Sequence, residues 1–127
     1  MTHEDFLNDM YCYYSMNPHM RAVSDNGRNC FYRQNCADGV IKKCAIGRHI
    51  SDEKYTDAIE NSGVDIFPCP LDELAPSLSK LKTSFLRNVQ IFHDDSDIWL
   101  PHRIDARVRY YHKLLNISKD LDNESTR

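Results

Sequence analysis

The side chains whose chemistry could go beyond packing fall into four groups. Cys30, Cys36 and Cys44, with Cys69 or a histidine as fourth ligand, are the soft donors a structural zinc ion would need. Their spacing argues against it: five and seven residues intervene, and no pair has the CxxC form. Buried free cysteines acting as small hydrophobes are the competing reading. Cys44 or Cys36 could instead serve as a nucleophile with His49 or His93 as base, since a thiolate needs a base or a cation beside it at neutral pH. Third, His93 followed by Asp94, Asp95 and Asp97 could hold a hard divalent ion or move protons. Against this, the aspartates can simply cap the next turn, and His93 can be a histidine at the edge of the core. The weighing favours no metal, no cofactor and no catalytic residue.

The fourth group is a set of candidate binding cations. Between residues 101 and 120, His102, Arg103, Arg107, Arg109, Lys113 and Lys119 face only Asp105 and Asp120. Arg103 and Arg107 are four apart, and Tyr110 follows one turn later. Arginine interleaved with tyrosine suits phosphate or acidic protein groups, and both types dominate the energetics of protein interfaces. Arg48 and His49 form a second, smaller cationic pair. The expected contact residues are therefore Arg103, Arg107, Arg109 and Tyr110, with Arg48 and His49.

These groups need elements to position them. Thr2 and Asp5 make a capping-box start. Phe6, Leu7, Met10, Tyr11 and Tyr14 then recur at helical spacing over about residues 3–15, and Asn17-Pro18 ends the run. Strands are expected at about 30–35 and 40–46, joined by a turn at Asp38-Gly39. Ser51, Asp52 and Glu53 read as the capped start of a second helix that buries Tyr55, Ala58 and Ile59 and ends before Gly63. The segment 64–76 is broken by Pro68, Pro70 and Pro76, with Phe67, Leu71 and Leu74 against the core. Leu78, Leu81, Phe85, Val89 and Phe92 predict a third helix over 78–94, capped by Ser77 or Ser79. Pro101 opens a last helix to about 120 whose core face is Ile104, Val108, Tyr111 and Leu115. The expected fold is one α+β domain over residues 1–120, about four helices around a short antiparallel hairpin, with a flexible tail at 121–127.

Composition narrows the function classes. The chain has 127 residues, of which 41% are hydrophobic, and a net charge of −3. That suffices for one core without disulfides. It is too weakly charged for an acidic DNA mimic and not basic enough for a nucleic-acid coat, so direct nucleic-acid binding is not expected. No apolar run approaches about 18 residues, so no membrane contact is expected. The start Met1-Thr2-His3-Glu4-Asp5 is acidic where a secretion signal is basic and then apolar. A cytosolic site with reduced cysteines is the expectation.

One stretch also carries a resemblance. Cys30-Phe31-Tyr32-Arg33, then Lys43-Cys44-Ala45-Ile46-Gly47-Arg48-His49-Ile50, then Asp52-Glu53-Lys54-Tyr55 and Glu60, resembles a set of small proteins encoded by bacteriophages and prophages. Those proteins often carry a downstream Leu-Gln-x-x-His-Asp segment, here Val89-Gln90-Ile91-Phe92-His93-Asp94. The likeness spans roughly residues 28–95. The group has no assigned activity, so the resemblance implies a phage setting in a bacterial cytosol and no catalytic residues. The function expected first is an accessory protein that binds and inhibits or modulates a host macromolecule, a protein or protein–nucleic acid complex such as a defence component. The alternatives are a binder that sequesters a small nucleotide-like anion through Arg48 and His49, with Arg103 or Arg107 as further candidates, and a small metal-dependent enzyme built on His93 and its aspartates. A second copy of the chain is a further candidate partner.

Overall fold

A computed structural model describes residues 1–23, 31–60 and 71–125. Among these residues four α-helices, α1 (His3–Met16), α2 (Leu71–Leu74), α3 (Thr83–Asp94) and α4 (Ile104–Ser125), accompany a hairpin of β1 (Arg33–Asn35) and β2 (Ile41–Lys43). The expected α+β single-domain class is observed. Among the described residues no helix is long and apolar enough to cross a membrane.

The start of α1 is fully satisfied. Thr2 Oγ1 accepts the Asp5 N–H at 3.0 Å, and Asp5 returns a bond to the Thr2 N–H. The His3 and Glu4 N–H groups donate instead to the two carboxylate oxygens of Asp122, at 2.9 and 3.1 Å. Asp122 thus acts as a second N-cap delivered from the far end of α4. Residues 121–125, expected to be a flexible tail, are helical, and Leu121 packs on the core. His3 completes the junction. Its Nε2 accepts the Lys82 N–H at 3.1 Å, so Nδ1 carries the proton and donates to Asp122 at 2.8 Å.

The hairpin pairs Arg33 with Lys43, Gln34 with Lys42 and Asn35 with Ile41. Gly39 turns it at φ +86°, a backbone state glycine reaches without steric cost. Gly47 has a different reason to be glycine. A Cβ there would lie 1.9 Å from the Tyr32 carbonyl oxygen, so the chain after β2 passes directly against β1.

Two expected elements differ. The helix after Ser51 is a turn followed by a single 3-10 turn, Asp57–Ile59, and Ala58 is exposed. Its residues are pulled sideways onto the hairpin. Asp52 meets Arg33 Nη2 at 2.7 Å, and the Tyr55 ring lies 4.4 Å beneath the Arg33 guanidinium. Glu60 accepts the Tyr32 and Arg33 N–H groups at 3.0 and 3.1 Å and the Tyr55 hydroxyl at 2.6 Å. Helix α3 also begins later than expected, at Thr83. Leu78 and Leu81 are buried from turns preceding it, and Ser79 donates to the Pro76 carbonyl rather than capping. Gly63, Phe67, Pro68 and Pro70 lie outside the described residues.

The core joins Phe6, Leu7, Met10 and Tyr14 of α1 to Phe85, Leu86, Val89 and Phe92 of α3 and Leu114 of α4. Cys44, Ala45, Ile46 and Ile50, from the chain after the hairpin, close one side. Replacing Asp122→Ala removes both remote caps and should lower unfolding free energy by about 1–2 kcal/mol, read by urea denaturation, with the far-UV spectrum unchanged. Gly47→Ala should cost about 1–3 kcal/mol, because the methyl must push β1 away. A wild-type urea midpoint in that variant would contradict the close approach.

Candidate binding site

The sequence-selected cations separate in the structure. Arg103 stays at the surface but pairs with Asp97 at 3.2 Å. Arg107 is turned inward. Its guanidinium lies 5.3 Å from the Trp99 ring, and Nη1 donates to the Ile98 and Leu100 carbonyls, both at 3.2 Å. Tyr110 packs on Phe92 with ring centroids 4.4 Å apart, and burial raises its hydroxyl pKa. Arg109, Lys113 and Lys119 are exposed on α4, and His102 is exposed in the turn before it. The expected core face of α4 is kept in part: Tyr111 and Leu115 pack against the core, and the Tyr111 ring stacks on Tyr11 at 4.2 Å. Ile104 is 55% exposed, whereas Leu114 is buried and Ile117 and Leu121 pack beside it. The buried Trp99 indole donates to the Phe92 carbonyl at 2.9 Å and presents a ring that Arg107 covers.

The three catalytic or metal candidates resolve into packing. Cys44 is wholly buried and accepts the Gly47 N–H at 3.2 Å. Burial pushes its thiol pKa well above the usual value, so it is not a thiolate near neutral pH. Cys36 sits at the hairpin turn, partly exposed, while Cys30 and Cys69 lie outside the described residues. Among the described residues no three His, Cys, Asp or Glu side chains are grouped as metal ligands. His93 is fully buried, edge-on to Tyr14 at 4.7 Å, with Nδ1 2.7 Å from Asp94 Oδ1. Its backbone carbonyl accepts the Arg21 guanidinium at 2.7 Å. Asp95 is spent on the Asp97 and Ile98 N–H groups, at 3.1 and 3.2 Å. A sealed imidazole with its neighbours so engaged offers no place for substrate.

Gln90 explains the downstream motif. Its Oε1 accepts the Ile46 N–H at 3.3 Å and its Nε2 donates to Asp94 at 2.8 Å. The two separated motif segments are thus one contact, between α3 and the chain that leaves the hairpin.

Arg48 and His49 are brought together with a third residue, Asp9 of α1. Arg48 Nη2 lies 3.4 Å from Asp9 Oδ1, and His49 Nε2 lies 3.3 Å from Oδ2. The hydrogen bond from His49 is the main cause holding the Asp9 carboxyl below its ordinary pKa, against an opposing push from burial, with the Arg48 charge adding to it. The Arg48 guanidinium lies flat against Tyr13, 3.8 Å from the ring centroid, with Tyr14 at 5.9 Å. Its Nη1 is shielded from solvent and has no acceptor among the described residues. Arg48, Tyr13, Tyr14, Ile41 and Lys43 line a half-open cleft of about 270 Å³ between α1 and β2. The Tyr14 hydroxyl donates to the Lys43 carbonyl and fixes one wall against the other. Tyr13, Tyr14 and Lys43 were absent from the sequence-derived contact set. Tyr14 belonged to the α1 stripe, and nothing in the spacing placed β2 beside it.

No family model matches this chain, and neither the curated proteins nor the solved structures contain a match.

The buried His93 sets a pH dependence. Burial is the dominant effect and lowers its pKa from 6.5, against the pull of Asp94. The unfolded chain then binds the extra proton first, so stability is full above about pH 6.5 and falls as pH drops below it. Urea midpoints measured from pH 7.5 to 5 should decline, with a shallower decline in His93→Gln. Equal slopes for the two proteins would assign the dependence elsewhere.

Proposed function

We propose that this chain is a non-enzymatic accessory protein of phage type. It acts in the bacterial cytosol by binding, and so inhibiting or modulating, a host macromolecule. A component of an antiviral defence system fits that role. The phage setting rests on the motif resemblance over residues 28–95. The contact surface is the α1–β2 cleft. One observation carries it: a guanidinium stacked on tyrosine, with one arm on Asp9 and the other without an acceptor, beside a lysine. An anionic group of a partner entering the cleft would meet the partly exposed Arg48 guanidinium, and charge-assisted bonds to arginine are among the stronger contacts available. Arg109 and Lys113 on the exposed side of α4 are a second cationic surface, without a cleft.

Sequestration of a small nucleotide-like anion is the second reading, favoured by the concave shape. It ranks second because small-molecule sites usually start near 300 Å³, slightly more than this cleft provides.

Affinity capture from host lysate tests the first reading. A protein retained by the wild-type chain should fall about tenfold in occupancy with Arg48→Gln, corresponding to roughly 1.4 kcal/mol, and persist with Arg109→Ala. Equal retention by Arg48→Gln would move the contact to the α4 surface. Heat on titration with nucleotides, abolished by Arg48→Gln, would favour the second reading.

A further inference from the structure

The strand register leaves an open edge beside the cleft. Cys44 N–H donates to the Tyr32 carbonyl and Cys36 N–H to the Val40 carbonyl. Antiparallel pairs alternate, so Gln34 and Lys42 exchange bonds between these two. The backbone groups of Arg33, Asn35, Ile41 and Lys43 therefore point away from the partner strand. On β1, Glu60 covers the Arg33 N–H. On β2, Tyr14 covers the Lys43 carbonyl. The N–H and C=O of Ile41 have no partner among the described residues, and its side chain lines the cleft with the residue 48% exposed.

We propose that this edge takes an extended acidic segment of the partner, adding a short strand to β2. The segment's backbone exchanges two hydrogen bonds with Ile41, and a carboxylate beside that residue meets the Arg48 guanidinium and the Lys43 ammonium. The inference rests on the cleft being the contact surface and names what enters it. Three features select this occupant. Unpaired edge groups are a template for an incoming strand. The cations lining the cleft are Arg48, half-used by Asp9, and Lys43, held loosely by Asp52 at 3.8 Å, so the complement is anionic. The Tyr14 bond at Lys43 stops the edge after one free residue, so the added strand is short and its side chain contributes much of the recognition.

The test titrates ¹⁵N-labelled protein with a heptapeptide alternating valine and glutamate, its valine–glutamine counterpart, and inorganic phosphate, each to millimolar concentration. The acidic peptide should shift the Ile41 amide and the Arg48 Nε–H signals together. At saturation it should slow hydrogen exchange at the Ile41 amide at least tenfold. Arg48→Gln and the valine–glutamine peptide should each weaken binding about tenfold. Ile41→Pro should do the same, and its spectrum should keep the Gln34 and Lys42 amides because the lost N–H lies outside the ladder. If Arg48 responds while Ile41 neither shifts nor gains protection, the strand inference fails and the binding reading stands. Saturation by phosphate alone, with no response to the peptide, has the same meaning. If nothing perturbs Arg48, both fail.

Discussion

The bond from the Tyr14 hydroxyl to the Lys43 carbonyl is the constraint on which the site depends. Tyr14 is a fully buried side chain on the core face of α1. Its ring meets His93 edge-on and reaches Trp99, so it is fixed by the same aromatic cluster that fixes α3 and the approach to α4. A phenol so buried must find an acceptor. The acceptor is an outward-pointing carbonyl on β2, which brings the hairpin edge against the end of α1. Burial raises the hydroxyl pKa well beyond its usual value, so it stays a donor. The cleft is the space left between two walls joined at that point, and Arg48 closes it because Asp9 and Tyr13 lie on the same side of α1.

The strongest motif in the chain is a scaffold. Glu60 caps the edge of β1, Arg33 lies between Tyr55 and Asp52, and Gly47 permits the chain to cross against Tyr32. Gln90 then joins that crossing to α3 and His93. Each of these contacts is made within the same unit. A two-stranded hairpin is marginal alone, and this network fastens it to the rest of the unit. Arg48 is a partly exposed member of the motif that lines the cleft, whereas His93 and Cys44 are buried.

Local signals in the sequence determined what local interactions determine. The Thr2–Asp5 box starts α1, Asp38-Gly39 turns the hairpin, and the Phe85–Val89–Phe92 stripe is the buried face of α3. Each requires only neighbours within a few residues or one apolar face. The last helix carries two faces of identical spacing. Ile104, Val108, Tyr111 and Leu115 recur at i, i+4, i+7 and i+11, and so do Tyr110, Leu114, Ile117 and Leu121. Periodicity cannot rank them. Both contribute: Tyr111 and Leu115 pack on the core together with the second set, while Ile104 is exposed and Arg107 turns onto the Trp99 ring. The same holds for Asp122, a polar residue near the chain end until α4 carries it back to the start of α1, and for Asp52, expected at a helix start, and Glu60, which bond the hairpin instead. The cleft likewise exists only in three dimensions. Its residues come from α1, β2 and the turn after β2, and a hydrogen bond between a core tyrosine and a strand carbonyl leaves no trace in spacing. Short-range order was written in the sequence; which charged side chain met which partner was decided by packing, because a polar group takes whatever partner the folded core brings within reach.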